Sequence, residues 1–588
     1  MQNFQVNLQG IIQLLSKNLY SSEDVFVREL LQNGVDAITA RRVEDKDFTP
    51  RIHVQYIGGT APQLVFSDNG IGLTEEEVTE FLATIGSSTK RASVANKRDF
   101  IGQFGIGLLS CFMISDELIM TTQSAKADYA LKWTGRQDGT YTTERMDLLS
   151  TPGTSVYLTL TERWQKVFTP QRVEELLTEY GAFLPHPIVF EKPDVSEETT
   201  INASFPLFAG VEEQSEEDLI LYGQRTFGEQ FMAAIPLVMP SGQTTGVAYI
   251  RNRASLVQSQ ANRVYVKGML LSDSIDNLLP QWAYFIRAIV NSEVLTPTAS
   301  RERLYQDDAL KKTRKQLGRL IRNWLVQLVK TDPERAQEII IQHQKSLKEM
   351  AEQDQEFLKI MAPYLPFPTT QGNLTIGQVK EREEVIEHVF DDEEYKQIRY
   401  LCGPMDRVVV HTRFNNDHKL MEQLEEMYPE LSFREVGVSD FLQQLEDVPE
   451  QVAAEADVFL AEANHVLQDM QCSLLLKQFD PDHIPTLYYL PEEARRMRQI
   501  SSYQQPKDQA WGKVHLALTE MLGGQQAVLC LNYRNELIRK LIKLPDAKLR
   551  GILLRFLYIQ AILLGNYTLS DKELEQFGQG LVELIDNQ

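Results

Sequence analysis

Apolar residues recur near a 3.6-residue period at the start of the chain and at a period of two soon afterwards, so helices come first and a sheet follows. Phe4, Leu8, Ile11, Ile12 and Leu15 carry the first rhythm. It resumes after Ser21 and Ser22, which can cap a helix running to about Arg42. Alternation then marks strands at 51–57 (RIHVQYI) and 62–68 (PQLVFSD), and DELIMTTQSA, YALKWTG and TSVYLTL continue that sheet. A helical stretch from about Pro170 to Tyr180 closes this α+β unit before about residue 200.

A second sheet-bearing unit begins near Ile201 with the strand-like runs EQFMAAIPLVM, GVAYIRN and NRVYVKGMLL. A loop ending in SRERLY leads into a long helix whose apolar stripe is Leu310, Leu317, Leu320, Ile321, Trp324, Leu325 and Leu328. From about 331 to 450, helical patterns alternate with two short strands, Val408 to His411 and Leu431 to Glu435, and Pro363, Pro366 and Pro368 mark a break. The acidic run Glu381 to Glu394 reads as a solvated face. The remainder, 451–588, reads as mostly helical and ends in amphipathic segments Leu549 to Leu564 and Ser570 to Ile585. The expected layout is therefore 1–200, 201–330, 331–450 and 451–588.

The 588 residues suit about four compact units at roughly 150 residues each. With 43% hydrophobic and 24% charged residues, several cores can be buried and wholesale disorder is excluded. Lys and Arg number 59 against 82 Asp and Glu, and the net charge of −23 opposes chain-wide affinity for nucleic acid or anionic lipid. No stretch approaches the ~20 uninterrupted apolar residues of a membrane span. Cys111, Cys402, Cys472 and Cys530 form no CxxC pair and are expected to be buried, reduced thiols. The opening MQNFQVNLQG lacks the character of a signal or transit peptide, which makes the cytoplasm the expected compartment.

Candidate chemistry begins in RELLQNGVDA. At ~100° per residue, Asn33 lies roughly +40° and Asp36 roughly −20° from Glu29, so three polar groups share one helical face. Such a face by itself also describes ordinary solvent exposure. DNGIGL at 68–73 follows a strand: an Asp before two glycines lets the backbone approach a flat ligand while the carboxylate accepts from an exocyclic amine, or it forms an ordinary Asx turn. IGSSTK and IGQFGIGLLS come next, and Gly102, Gly105 and Gly107 can present backbone N–H groups to an anion. Gly153 and Thr154 then precede a strand, where a hydroxyl can complete a hydrogen-bond network.

Individually weak, these signals form one ordered pattern: ExxxNxxD, DxGxG, GxxGxG, then GT before a strand. It resembles the GHKL ATPase fold shared by gyrase B subunits, MutL proteins, histidine kinases and heat-shock protein 90 chaperones. YSSEDVFVRELLQNGVDAI, DNGIGLT, IGSSTK and IGQFGIGLLSCFM are similar to the heat-shock protein 90 family specifically. The similarity continues through INASFPLF, NRVYVKGMLL, LLPQWAYFIRAIVNSEVLTPTASRERLY and LNYRNELIRKLI, and is weak from about 366 to 470. No GxxxxGK[ST] loop is present, in keeping with a GHKL rather than a P-loop site.

The resemblance implies an α+β chain with an N-terminal sandwich ATPase domain, a middle domain in two parts and a mostly helical C-terminal dimerisation domain. It implies that Glu29 is the general base, that Asn33 holds Mg²⁺, and that Asp68 accepts from the adenine amine with Thr154 assisting through water. Gly70 and Gly72 would admit the base, and Asp36 would belong to the ATP-binding set. An ATP lid over about 75–107 would bring Gly102, Gly105, Ile106 and Gly107 to the phosphates. Arg301 would reach the γ-phosphate; on the residues alone it reads instead as a structural ion pair, with Glu302 or Glu293 for example. The partners implied are unfolded or partly folded client proteins and a second copy of the chain, with no nucleic acid and no membrane.

Departures are visible as well. Tyr305 stands where the family usually has glutamine, only ten residues, Arg91 to Phe100, separate the STK from the glycine loop, and the tryptophan motif at the entry to the middle domain is missing. There is no long charged linker and no MEEVD tail, which points to a divergent, bacterial HtpG-like form. The stripe Leu574, Phe577, Leu581, Leu584 and Ile585 suits helix pairing across a two-fold axis or burial within its own domain. The leading expectation is an ATP-dependent chaperone that hydrolyses ATP. The alternative is a nucleotide-gated scaffold with little hydrolysis, and a MutL-like role on DNA is opposed by the charge.

Overall fold

The computed structural model describes residues 24–81, 107–149, 151–193, 198–202, 207–253, 261–298, 303–413, 416–491, 527–565 and 567–586. They fall into two compact units, Met1–Thr331 and Asp332–Gln588. The Phe4–Leu15 rhythm, the serines at 21 and 22, IGSSTK, Gly102, Gly105, Ile106 and Arg301 lie outside the described residues.

Helix α1 (Val25–Glu44) has Asp24 at its N-cap, and Arg41 and Arg42 in its last turn suit the partial negative charge there. Phe26, Val27, Leu30, Leu31, Val35 and Ile38 of α1 are buried in one core with Ile52, Val54, Leu64 and Phe66 of the sheet. Phe26 meets Phe168 edge to face at 5.2 Å. Val173, Leu176 and Leu177 of helix α2 (Pro170–Gly181) complete that core. Full burial of each such side chain contributes ~1.5–3 kcal/mol, so this core fixes α1 to the sheet.

That sheet has eight strands in the order β5-β4-β3-β6-β2-β1-β7-β8. Its strands are β1 (Ile52–Ile57), β2 (Gln63–Asp68), β3 (Glu117–Gln123), β4 (Ala130–Arg136), β5 (Tyr141–Met146), β6 (Gly153–Thr159), β7 (Ile188–Glu191) and β8 (Thr199–Thr200). Only β1 and β7 pair in parallel. A second sheet, β12-β11-β13-β10-β9, uses β9 (Phe231–Val238), β10 (Thr244–Arg251), β11 (Asn262–Val266), β12 (Met269–Ile275) and β13 (Ile286–Ser292). The long helix follows as α3 (Asp308–Thr331), burying Leu310, Leu317, Ile321, Leu325 and Leu328.

In the second unit, the strands expected near 408–411 and 431–435 form as β17 (Val409–His411) and β18 (Ser432–Glu435). They belong to a five-stranded sheet, β15-β14-β17-β16-β18, with β14 (Pro366–Thr369), β15 (Gly372–Thr375) and β16 (Val385–Val389). Pro366 and Pro368 thus lie in a strand rather than at a break. They have no N–H to donate, and β14 pairs along its length with β15 alone, meeting β17 only at Thr369. The acidic run also departs from expectation, because β16 lies inside it and Glu387 and His388 are buried. Arg407 grips Glu387 with Nε and Nη2 at 2.8 and 2.6 Å, and Arg434 is its second partner, which compensates the buried charge.

The last segment carries the helices α4 (Glu450–Gln468), α5 (Ala547–Leu564) and α6 (Asp571–Asp586) together with a sheet that the helical reading did not foresee. Its order is β19-β20-β22-β21, from β19 (Glu446–Asp447), β20 (Cys472–Gln478), β21 (Thr486–Tyr489) and β22 (Ala527–Asn532). All four cysteines are buried free thiols, as expected. Among the described residues no helix is long and apolar enough to cross a membrane.

Candidate active site

Strand β2 ends at Asp68, and β6 runs antiparallel beside it so that Asp68 stands opposite Thr154. The Gly70 N–H donates to Asp68 Oδ1 at 2.8 Å, so the Asx-turn geometry is present as well as a carboxylate at a strand end. Burial pushes the Asp68 carboxyl up to about 7, outweighing the backbone N–H groups of Gly70 and Thr154 that favour its anion. A carboxyl perturbed in this way at a strand end is a candidate binding group.

The chain beyond Asp68 is stitched to its surroundings. Ile71 N donates to Ala37 O of α1 at 3.0 Å, and Ala125 N donates to Ile71 O at 2.8 Å. Gly72 has φ +67°, and a Cβ there would stand 1.9 Å from Gln123 O, so no other residue fits. Leu73 N donates to Thr122 Oγ1 at 2.9 Å, and Thr122 Oγ1 lies 3.0 Å from Thr154 Oγ1. Two hydroxyls therefore stand side by side next to Asp68. Thr122 was not anticipated; its only sequence signal is the alternation of DELIMTTQ, which places it on the inner face of β3 opposite Thr154.

On α1 the shared polar face is not a solvent face. Glu29 is 4% and Asp36 2% exposed, and only Asn33 is open to solvent. Arg28 and Gln32 are buried beside them. Polar groups are kept inside a fold where other groups compensate them. The Glu29 carboxylate has Arg28 Nε 3.7 Å from Oε1 and is roofed by the turn that starts at Gly107. A Cβ on Gly107 would stand 2.2 Å from Glu29 Oε2. Ser110 Oγ closes this turn on Gly107 O at 2.6 Å, and burial, helped by the nearby Glu29 charge, pushes the Cys111 thiol up.

The structure thus brings Glu29 and Gly107 together on one side, and Asp68, Gly70, Gly72 and Thr154 on the other, with α1 tied to the second group through Ala37; Asp36 is buried on α1 two turns beyond Glu29. Tyr305 is 47% exposed. No group of three or more His, Cys, Asp or Glu able to hold a metal occurs among the described residues. A metal held there would therefore rely on other oxygen donors, such as the exposed Asn33 amide and the oxygens of a ligand.

Two family profiles match the chain: "Histidine kinase-, DNA gyrase B-, and HSP90-like ATPase" over residues 20–153 and "Hsp90 protein" over 243–428. Proteins named chaperone protein HtpG are similar to it. That of Coxiella burnetii is 27% identical over 370 residues, covering 57% of this chain and 58% of the relative. The one from Desulfitobacterium hafniense is 26% identical, covering 66% and 67%, and that of Wolinella succinogenes is 28% identical, covering 52% and 54%. The chain aligns with between about half and two thirds of the length of these relatives. The mixed α+β build and these matches make the chain similar to the heat-shock protein 90 family, and to its HtpG members in particular.

Proposed function

We propose that this protein is an ATP-dependent molecular chaperone that binds ATP in the pocket beside Asp68 and hydrolyses it to ADP and phosphate. The observation that carries the reading is two carboxyls in different settings: the partly buried Asp68 at a strand end beside two hydroxyls, and the buried Glu29 under the glycine turn. In this reading Asp68 accepts from the adenine amine, Thr154 supports it, and Gly70 and Gly72 admit the base. Asp36 belongs to the same binding set. Glu29 accepts the proton of a water that attacks the γ-phosphorus, and the bond to the bridging oxygen of ADP breaks. Asn33 would hold Mg²⁺, which supplies charge neutralisation on the phosphates when bound. Gly102, Gly105, Ile106 and Gly107 would meet the phosphates as a lid over 75–107 closes, and Arg301 would add positive charge from the middle segment.

The proposed layout is an ATP-binding domain over 1–200, a middle domain over 201–330 and 331–450, and a dimerisation domain over 451–588. Dimer formation through α5 and α6 is supported by Leu574, Leu581 and Ile585, which are exposed on the single chain rather than buried within it. The partners proposed are unfolded or partly folded client proteins, and the compartment the cytoplasm.

A second reading, a nucleotide-gated scaffold with weak hydrolysis, draws on Glu29 itself, whose carboxylate is sealed beside Arg28 and Gly107. Steady-state phosphate release by the purified chain, with and without unfolded protein, separates the two. ATP binding without turnover would favour the scaffold. ATP binding with turnover lost in Glu29→Ala supports the chaperone reading.

A further inference from the structure

Arg41, in the last turn of α1, belongs to no role assigned above, yet its guanidinium reaches both loops of the base pocket. Nη1 donates to Asn69 O at 2.9 Å and lies 3.5 Å from Pro152 O. Asn69 directly follows Asp68, and Pro152 directly precedes Gly153 and Thr154. Nη2 pairs with Asp45 Oδ2 at 3.2 Å, and the guanidinium carbon lies 4.2 Å from the centroid of Phe48. The side chain is only 12% exposed. Asn69 is anchored on its other side too: its Oδ1 accepts from Arg51 N at 2.8 Å and its Nδ2 donates to Thr49 O at 2.7 Å.

We propose that Arg41 is a positioning residue for base selection, holding the Asp68 and Thr154 loops at the spacing that accepts an exocyclic amine and rejects a ring carbonyl. The proposal rests on the nucleotide reading of this pocket. A guanidinium suits the task because its fork is planar, permanently charged and able to serve two carbonyls at once. A site discriminates by hydrogen bonds only while its partners stay within about 0.5 Å of the productive geometry. Without Arg41, two carbonyl oxygens lose their donor and the loops can spread, letting guanine turn its carbonyl away from the Asp68 carboxylate.

The test measures ATP and GTP binding calorimetrically, and KM and kcat for ATP, on the full-length wild type, Arg41→Ala and Arg41→Lys. Arg41→Ala is expected to weaken ATP binding about tenfold while GTP binding changes little, so the preference for ATP falls about tenfold and the loss appears in KM rather than kcat. Arg41→Lys keeps the charge and one donor and should recover part of the preference. If Arg41→Ala does not fold, Arg41→Lys carries the comparison, with an intermediate preference at the wild-type melting temperature expected. A lowered melting temperature with an unchanged ATP-to-GTP ratio in both variants overturns the proposal and makes Arg41 purely structural. A wild type that binds neither nucleotide overturns the nucleotide reading itself, and this proposal with it.

Discussion

Gly107 stands so close to Glu29 that a Cβ on the glycine would fall 2.2 Å from the carboxylate Oε2. The carboxylate cannot simply swing aside, because it is buried beside Arg28. Gly107→Ala should therefore displace Glu29 at a cost of ~1–3 kcal/mol of stability and lower the rate of hydrolysis. Glu29→Ala alone should retain ATP binding and lose at least ~100-fold in turnover. In the double variant the added methyl meets the space left by the missing carboxylate, so the two stability losses should fall short of adding. Thermal melting of the four proteins, with ATP titrations alongside, reads this directly. Strict additivity would mean that the two residues do not touch.

Asp68 gives the pocket a pH dependence whose sign can be worked out. Its carboxyl is raised from 3.8 to about 7 in the folded chain, so ionising it there is unfavourable. Its contribution to stability is present below pH 3.8 and is lost as pH rises through about 7. Binding an amine works in the opposite direction, because it requires the anion. ATP affinity should fall roughly tenfold per pH unit below about 7, and binding near neutrality should release a proton. Calorimetry in two buffers of different ionisation enthalpy measures that proton. Asp68→Asn should weaken ATP roughly 10- to 100-fold and flatten the remaining pH profile.

How far the sequence reveals these features depends on whether local pattern and burial agree. Strand β1 and helices α2 and α3 are legible because each buries one face and so alternates or repeats cleanly, whereas α1 is buried on nearly every side from Val25 to Ile38 and β2 buries Leu64, Val65 and Phe66 in a row. β20 and β22 pair in parallel as continuous apolar runs, SLLL and AVLCL, which periodicity does not separate from buried helix. β16 is hidden by its own acids, because the arginines that make Glu387 tolerable inside come from residues 407 and 434. The site divides in the same way. Asp68, Gly70, Gly72 and Thr154 are marked by the order of short motifs, whereas Thr122 and Arg41 act through neighbours brought together only by the sheet register and the end of α1.

Glu387 provides a prediction outside the nucleotide site. Burial pushes its carboxyl up, but Arg407 and Arg434 outweigh burial and hold it below its ordinary value of 4.5. The stability it contributes is present above pH 4.5 and is lost as pH falls through its lowered value. Glu387→Gln leaves two arginines facing one neutral amide. Because Arg434 is about half exposed, water offsets part of the loss, and about 2 kcal/mol is expected rather than the larger penalty of a fully buried pair. Denaturant unfolding at pH 7 measures the loss, and the gap between variant and wild type should narrow at strongly acidic pH.

The pairing of α5 with α6 leads to the last expectation. Phe577 of α6 packs edge to face on Phe556 of α5 at 5.4 Å, and a groove beside them is lined by Phe556, Ile559, Gln560, Leu563, Leu564 and Phe577. Leu563 and Leu564 are exposed there, as are Leu574, Leu581, Val582 and Ile585 on α6. An apolar surface of this kind on a single chain marks an interaction site, and the dimer proposed above would cover it. Leu563→Asp removes nothing from the chain's own core, so its melting temperature should stay near that of wild type. In a dimer the same carboxylate would be buried without a partner, weakening association about 100-fold or more. Sedimentation at micromolar concentration should then show a monomer for Leu563→Asp and a dimer for Val458→Asp, whose still more exposed valine sits on α4 and does not line this groove. A dimer that persists in the Leu563 variant would move the interface to another face of the chain.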